Sequence, residues 1–133
     1  MLNRNNIIYW ISTLWLSTGM VATGILQLSR AAAEGSVSPP GVYGIKVMGY
    51  PVYFLTILGI WKILGVIALL IPKFPLLKEW AYAGFFFIMS GAIFSHIALG
   101  HSFKDIFPSL LLLALTIISW YFRPANRKLT LAN

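Results

Sequence analysis

Gly59–Pro72 reads GIWKILGVIALLIP, an almost unbroken apolar run that holds one cation, Lys62. Whether the run crosses a membrane decides the fold. With the residues before it, it gives an apolar stretch over Val52–Ile71, long enough for the ~30 Å hydrocarbon layer at ~1.5 Å per residue. Three further stretches qualify by the same measure: Ile7–Leu28, Trp80–Leu99 and Ile106–Phe122, the last with Phe103 as an alternative start. Composition agrees. Of 133 residues, 59% are hydrophobic and 10% charged, whereas about a quarter of an ordinary soluble domain is charged. The expected fold is therefore all-α: one polytopic membrane domain over residues 1–133, a bundle of four transmembrane helices.

The first stretch could be mistaken for a cleaved leader, because Arg4 precedes it and Ala31-Ala32-Ala33 follows. Its apolar core is longer than the 7–15 residues of a leader's central region, so it reads as a retained helix. Four spans place both termini on one side. That side carries Arg4, Lys73, Lys78, Arg123, Arg127 and Lys128, against Arg30, Lys46 and Lys104 on the other. The excess of cations places both termini in the cytoplasm. The outer loop 29–51 contains AAAEGSVSPPG, irregular at Pro39-Pro40, and then an apolar segment, 42–50, that reads as interfacial. PKFPLLK and GHSFKD are short links, so spans two, three and four form antiparallel hairpins. Gly84, Gly91, Ser95 and Ala98 fall near one face of span three and read as helix contacts. Trp80, Tyr82, Trp120, Tyr121, Tyr9 and Trp10 read as an interfacial aromatic belt.

Several chemistries are excluded. There is no cysteine, hence no disulfide, thiolate nucleophile or dithiol relay. The formal charge of +7 is spread over membrane loops and forms no basic stripe for nucleic acid. No nucleophile triad, phosphate-cradling glycine loop or HExxH pattern occurs. His96 and His101 are five apart and off one helical face, with Asp105 the one acid nearby, so no metal site is expected.

The polar residues inside the spans carry the remaining information. A central lysine costs ~2.5–3.5 kcal/mol on insertion scales. The thirteen Val, Leu, Ile and Phe residues of Val52–Ile71, at ~−0.3 to −0.6 kcal/mol each, outweigh it. Lys62 either bonds carbonyls and hydroxyls of neighbouring helices or faces a cavity and binds an anionic or quinone-like ligand. Gly59 and Gly65 beside it favour an inward face. Counting from Pro72 and Trp80 puts Lys62 level with Ser90. His96, near the outer end of span three, is a helix–helix hydrogen-bonder or a ligand. Glu79 suits the N-terminus of span three, where free N–H groups and the dipole favour a carboxylate.

Gly49 to Gly100 also carries a pattern: Gly49-Tyr50-Pro51, Gly59 with Lys62 and Gly65, Pro72, Lys78-Glu79-Trp80-Ala81-Tyr82-Ala83-Gly84, and Ser95-His96. In combination these resemble the DoxX-like family of small bacterial four-helix membrane proteins. The resemblance implies a bundle in the bacterial inner membrane, with Lys62, Glu79 and His96 in the shared pattern. Relatives in such families are linked to quinone-dependent oxidoreductase assemblies. The candidate ligand-binding set is Lys62, His96, Glu79, Ser90, Tyr50 and Trp61.

Two function classes follow. The first is a non-catalytic binding or accessory subunit that holds a lipophilic small molecule or docks to a membrane redox partner. The second is a quinone-binding component of an oxidoreductase assembly, with quinone between spans two and three and Lys62 and His96 donating hydrogen bonds. The absence of cysteine, haem-ligand pair or flavin motif favours the first. The expected partners are the lipid bilayer, a redox partner protein or a second copy of the chain. Transport is a weaker third class, since four short spans must oligomerise to make a pathway.

Overall fold

The computed structural model describes residues 3–33, 51 and 53–128. Four helices follow in order, α1 (Arg4–Ala33), α2 (Tyr53–Leu70), α3 (Pro75–Ala98) and α4 (Phe103–Tyr121), with a short 3-10 turn at Ala125–Arg127. No strand occurs among the described residues, and each helix has a segment long and apolar enough to cross a membrane. The chain is an all-α membrane bundle. The expected interfacial segment 42–50 lies outside the described residues.

Local chemistry sets the boundaries. Asn3 caps α1 by accepting the Asn6 N–H at 2.9 Å on Oδ1. Span three begins at Pro75, five residues before the Trp80 expected from hydropathy. Proline at the first helical position has its φ preset and lacks only an N–H that would be unsatisfied there. Lys73 and Phe74, both at positive φ, make the reversal from α2. Of the sequence PKFPLLK, then, only the first half is loop.

The far end of α3 closes with Gly100 at φ 72°. There Gly100 N–H donates to Ile97 O and His101 N–H to His96 O, each at 3.0 Å, the Schellman arrangement. In α4, Asp105 lies in the first turn and accepts from Ser102 Oγ at 3.1 Å. Pro108 is the sixth residue of that helix, so the one bond it removes is to the Lys104 carbonyl.

The helices form a ring. Each packs against two neighbours, α1 on α2 and α4, α3 on α2 and α4, with no close diagonal approach. This is an up-down-up-down arrangement. Close approach depends on glycine at two places. A Cβ on Gly59 would lie 2.8 Å from the Gly24 carbonyl oxygen, and one on Gly65 would lie 2.6 Å from the Phe85 ring. The Gly84 and Gly91 face of span three behaves otherwise. Among the described residues a Cβ at either would meet nothing within 4 Å, so these glycines make no contact of the kind that Gly59 and Gly65 make. Nor do all the belt aromatics lie at the surface. Tyr9 and Tyr82 are buried, while Trp80, Trp120 and Tyr121 are exposed. Tyr82 stays inside because its hydroxyl finds Ser119 Oγ at 2.8 Å.

The core is unequal along the bundle. Leu16, Met20, Val66, Leu69, Phe85 and Leu115 lie at its centre. On α3 the buried positions are Lys78, Tyr82, Phe85 and Met89, and on α4 they are Leu112, Leu115, Thr116 and Ser119. No residue of 90–98 or 103–111 is buried. The half of the bundle that holds the chain ends (the terminal half) is therefore sealed. In the opposite half, α3 and α4 cover the interior only partly.

Candidate functional site

Lys62 stands where these two halves meet. The Gly65–Phe85 contact fixes the antiparallel register, so three residues earlier on α2 lies opposite about three residues later on α3. Lys62 is thus level with Ile88 and Met89, ~3 Å from the expected depth of Ser90. The side chain is 4% exposed, so it is neither among headgroups nor toward lipid.

Its partner comes from α1. Lys62 Nζ donates to Thr23 Oγ1 at 3.1 Å, and Thr23 Oγ1 donates to the Gly19 carbonyl at 2.9 Å. Helical side chains lean toward the N-terminus of their own helix, so the ammonium is carried away from the sealed core and into the partly covered half. Among the described residues, Thr23 is the one hydrogen-bond acceptor for a group with three donors. One turn along α1 from Thr23, the Gln27 side-chain oxygen is buried with no hydrogen-bond partner. Leu16, Met20, Thr23 and Gln27 recur on one stripe of α1, so donor and acceptor meet the same interior.

The remaining candidates scatter. His96 was read as off the face of His101, yet the two Nδ1 atoms are 2.7 Å apart, with ring centroids 5.0 Å apart. The Schellman turn causes this, since it folds the residue after glycine back onto the one five earlier. One ring N–H donates to the nitrogen of the other ring. No group of three or more His, Cys, Asp or Glu that could hold a metal occurs among the described residues. Lys62 and His96 therefore have separate partners, on α1 and at the α3–α4 turn.

Glu79 is the fifth residue of α3, not its cap. Its carboxylate pairs with Arg123 Nε at 2.9 Å and accepts Trp120 Nε1 at 3.0 Å, tying α3 to α4. Because α3 starts early, this acid lies inside a spanning helix, near its end. Ser90 Oγ donates to the Phe87 carbonyl of its own helix at 3.2 Å. Trp61 is 56% exposed on the outer face of α2. Tyr50 lies outside the described residues.

The sequence reading missed Thr23 and Gln27, because a lone hydroxyl and amide in an apolar helix look like packing residues. It also missed a second buried cation. Lys78, 1% exposed, donates to the Ala68 carbonyl at 2.8 Å and to that of Ile71. Arg127 Nη1 donates to the Leu69 carbonyl at 2.7 Å, with its guanidinium 4.9 Å above the Trp10 ring. Together they satisfy the free carbonyls at the C-terminus of α2, where the helix dipole also favours cations. Proline at residue 75 was the available signal, since a helix starting there puts Lys78 in its first turn, beside the end of α2. Nearby, Ser119 Oγ bridges Tyr82 and Thr13, the latter at 2.6 Å. These groups are mutually satisfied and structural.

Among known proteins, a model of the DoxX-like family matches residues 11–119. No curated protein and no solved structure gives a match.

Proposed function

The chain belongs to the DoxX-like family, and on that premise we propose that it is a non-catalytic membrane module holding a lipophilic small molecule at Lys62. One observation carries this reading. A buried ammonium with a single hydroxyl acceptor lies on the same interior as an unpartnered buried amide oxygen, where the sealed core ends. An unpaired buried polar group costs ~1–3 kcal/mol. A ligand supplying both an acceptor oxygen for Lys62 and a hydroxyl donor for Gln27 removes that cost on both sides. Its hydrocarbon part then lies in the half where α3 and α4 bury nothing. A quinol fits this description, its quinone form supplying the acceptor oxygen alone, and would make the protein a component of a redox assembly; a lipid alcohol fits equally well. The excess of cations at the chain ends supports cytoplasmic termini and a bacterial inner-membrane setting.

Organic extraction of protein purified in native lipid, followed by mass spectrometry, tests the reading. We expect a stoichiometric apolar molecule in the wild type that is lost in Lys62→Met and reduced in Gln27→Leu. Wild-type extracts that contain only bulk lipid, in bulk proportions, would rule it out.

A further inference from the structure

At the terminal end, well away from Lys62, an open depression of about 620 Å³ is walled by Asn3, Asn5, Asn6, Tyr121, Arg123 and Lys128, among others. Its size falls within the ~300–1,000 Å³ of small-molecule sites. Its chemistry is donor-rich: three carboxamides, a guanidinium and an ammonium. Three other cations of this end are committed elsewhere, Lys78 and Arg127 to carbonyls of α2 and Arg123 Nε to Glu79. The Lys128 ammonium has no partner among the described residues. Asn3 uses its side-chain oxygen to cap α1, which leaves its Nδ2 hydrogens for a ligand. The depression lies where α4 ends, beside the exposed Tyr121, at the depth where aromatic rings meet lipid headgroups.

We propose that this depression binds a phosphate group, with the Lys128 ammonium and the Asn3, Asn5 and Asn6 carboxamides as donors. Charge complementarity argues for it. Arg4, Lys73, Lys78, Arg123, Arg127 and Lys128 gather at this end, and Glu79 is the one acid there among the described residues. Basic pockets beside membrane helices take phosphate headgroups, and charge-assisted donors to phosphate are short and strong. The shared ligand chemistry is a phosphate monoanion or diester, from an anionic lipid or from solution.

The test uses the full-length chain in detergent. Retention of added phosphatidylglycerol is read by native mass spectrometry, with phosphatidylcholine as the neutral comparison and inorganic phosphate as the soluble arm, read as a thermal shift. Lys128→Gln should weaken phosphatidylglycerol retention roughly fivefold, the share of one interfacial cation. Asn5→Leu, which replaces a wall donor with an apolar group, should weaken it as well. Both variants should melt like the wild type in phosphatidylcholine. Lys73→Gln, on the same end but outside the depression, should leave retention unchanged. A protective effect of inorganic phosphate that Lys128→Gln abolishes would assign the same site to a soluble source. Equal loss in Lys73→Gln and Lys128→Gln would overturn the site in favour of diffuse attraction, as would unchanged retention in both wall variants.

Discussion

Two buried lysines in one small bundle have opposite roles, and the difference lies in their acceptors. Lys78 meets two carbonyls at the C-terminal end of α2, one of which, that of Ala68, would otherwise need the N–H that Pro72 lacks. Lys62 meets one threonine that already has a carbonyl partner on its own helix. Truncating Lys78 therefore strands main-chain acceptors, at a cost of ~1–3 kcal/mol per buried group. Truncating Lys62 strands nothing that Thr23 cannot satisfy and removes a poorly solvated charge. Lys78→Met should lower the melting temperature measurably in a given detergent, and Lys62→Met should hold or raise it. Equal losses in the two variants would make Lys62 a structural residue. The sequence could single out Lys62 because it interrupts an apolar run. Lys78 escaped notice because it lies beside Pro75 and Glu79 in a stretch that looks like loop. The partner Thr23 and the unpaired Gln27 were not legible either, since nothing in a single chain shows which helix faces which lysine.

At the scale of the helix, hydropathy located all four elements, because the bilayer's thickness imposes a length that composition reveals. It placed ends less well, because caps and turns rather than apolarity decide them. Pro75 extended α3 backward, and Gly100 folded His101 onto His96. Small residues were the least reliable guide, since periodicity marks a face without saying what covers it. Gly59 and Gly84 make the contrast testable. At Gly59 an added methyl meets the Gly24 backbone oxygen and the Leu28 side chain, so α1 and α2 must separate. Gly59→Ala should destabilise by ~1–3 kcal/mol, the usual cost of overpacking. At Gly84 an added methyl meets nothing within 4 Å among the described residues, and helix propensity favours alanine by up to ~1 kcal/mol. Gly84→Ala should therefore be neutral or stabilising in thermal melts. A destabilised Gly84→Ala would mean that this face is packed against something outside the chain.

For the whole molecule, the ring of four antiparallel helices brings the start of α1, the α2–α3 turn and the segment after α4 to one end, and with them most of the positive charge. The structure gives those cations two kinds of work. Lys78, Arg123 and Arg127 hold helices together, while Arg4, Lys73 and Lys128 remain at the surface to respond to the membrane. Orientation depends on cations near the ends of spans, whatever bonds they form after folding, so structural use of three of them does not weaken the bias. The absence of cysteine makes the test direct. Single cysteines at Asn133 and Ser102 report the side of the membrane reached by the chain after α4 and by the α3–α4 turn, without competing thiols. In intact cells a membrane-impermeant maleimide should label Ser102→Cys and spare Asn133→Cys, and permeabilised cells should label both. The reverse pattern would place the termini outside. It would also show that the count of cations near the span ends is the wrong guide to how this chain inserts.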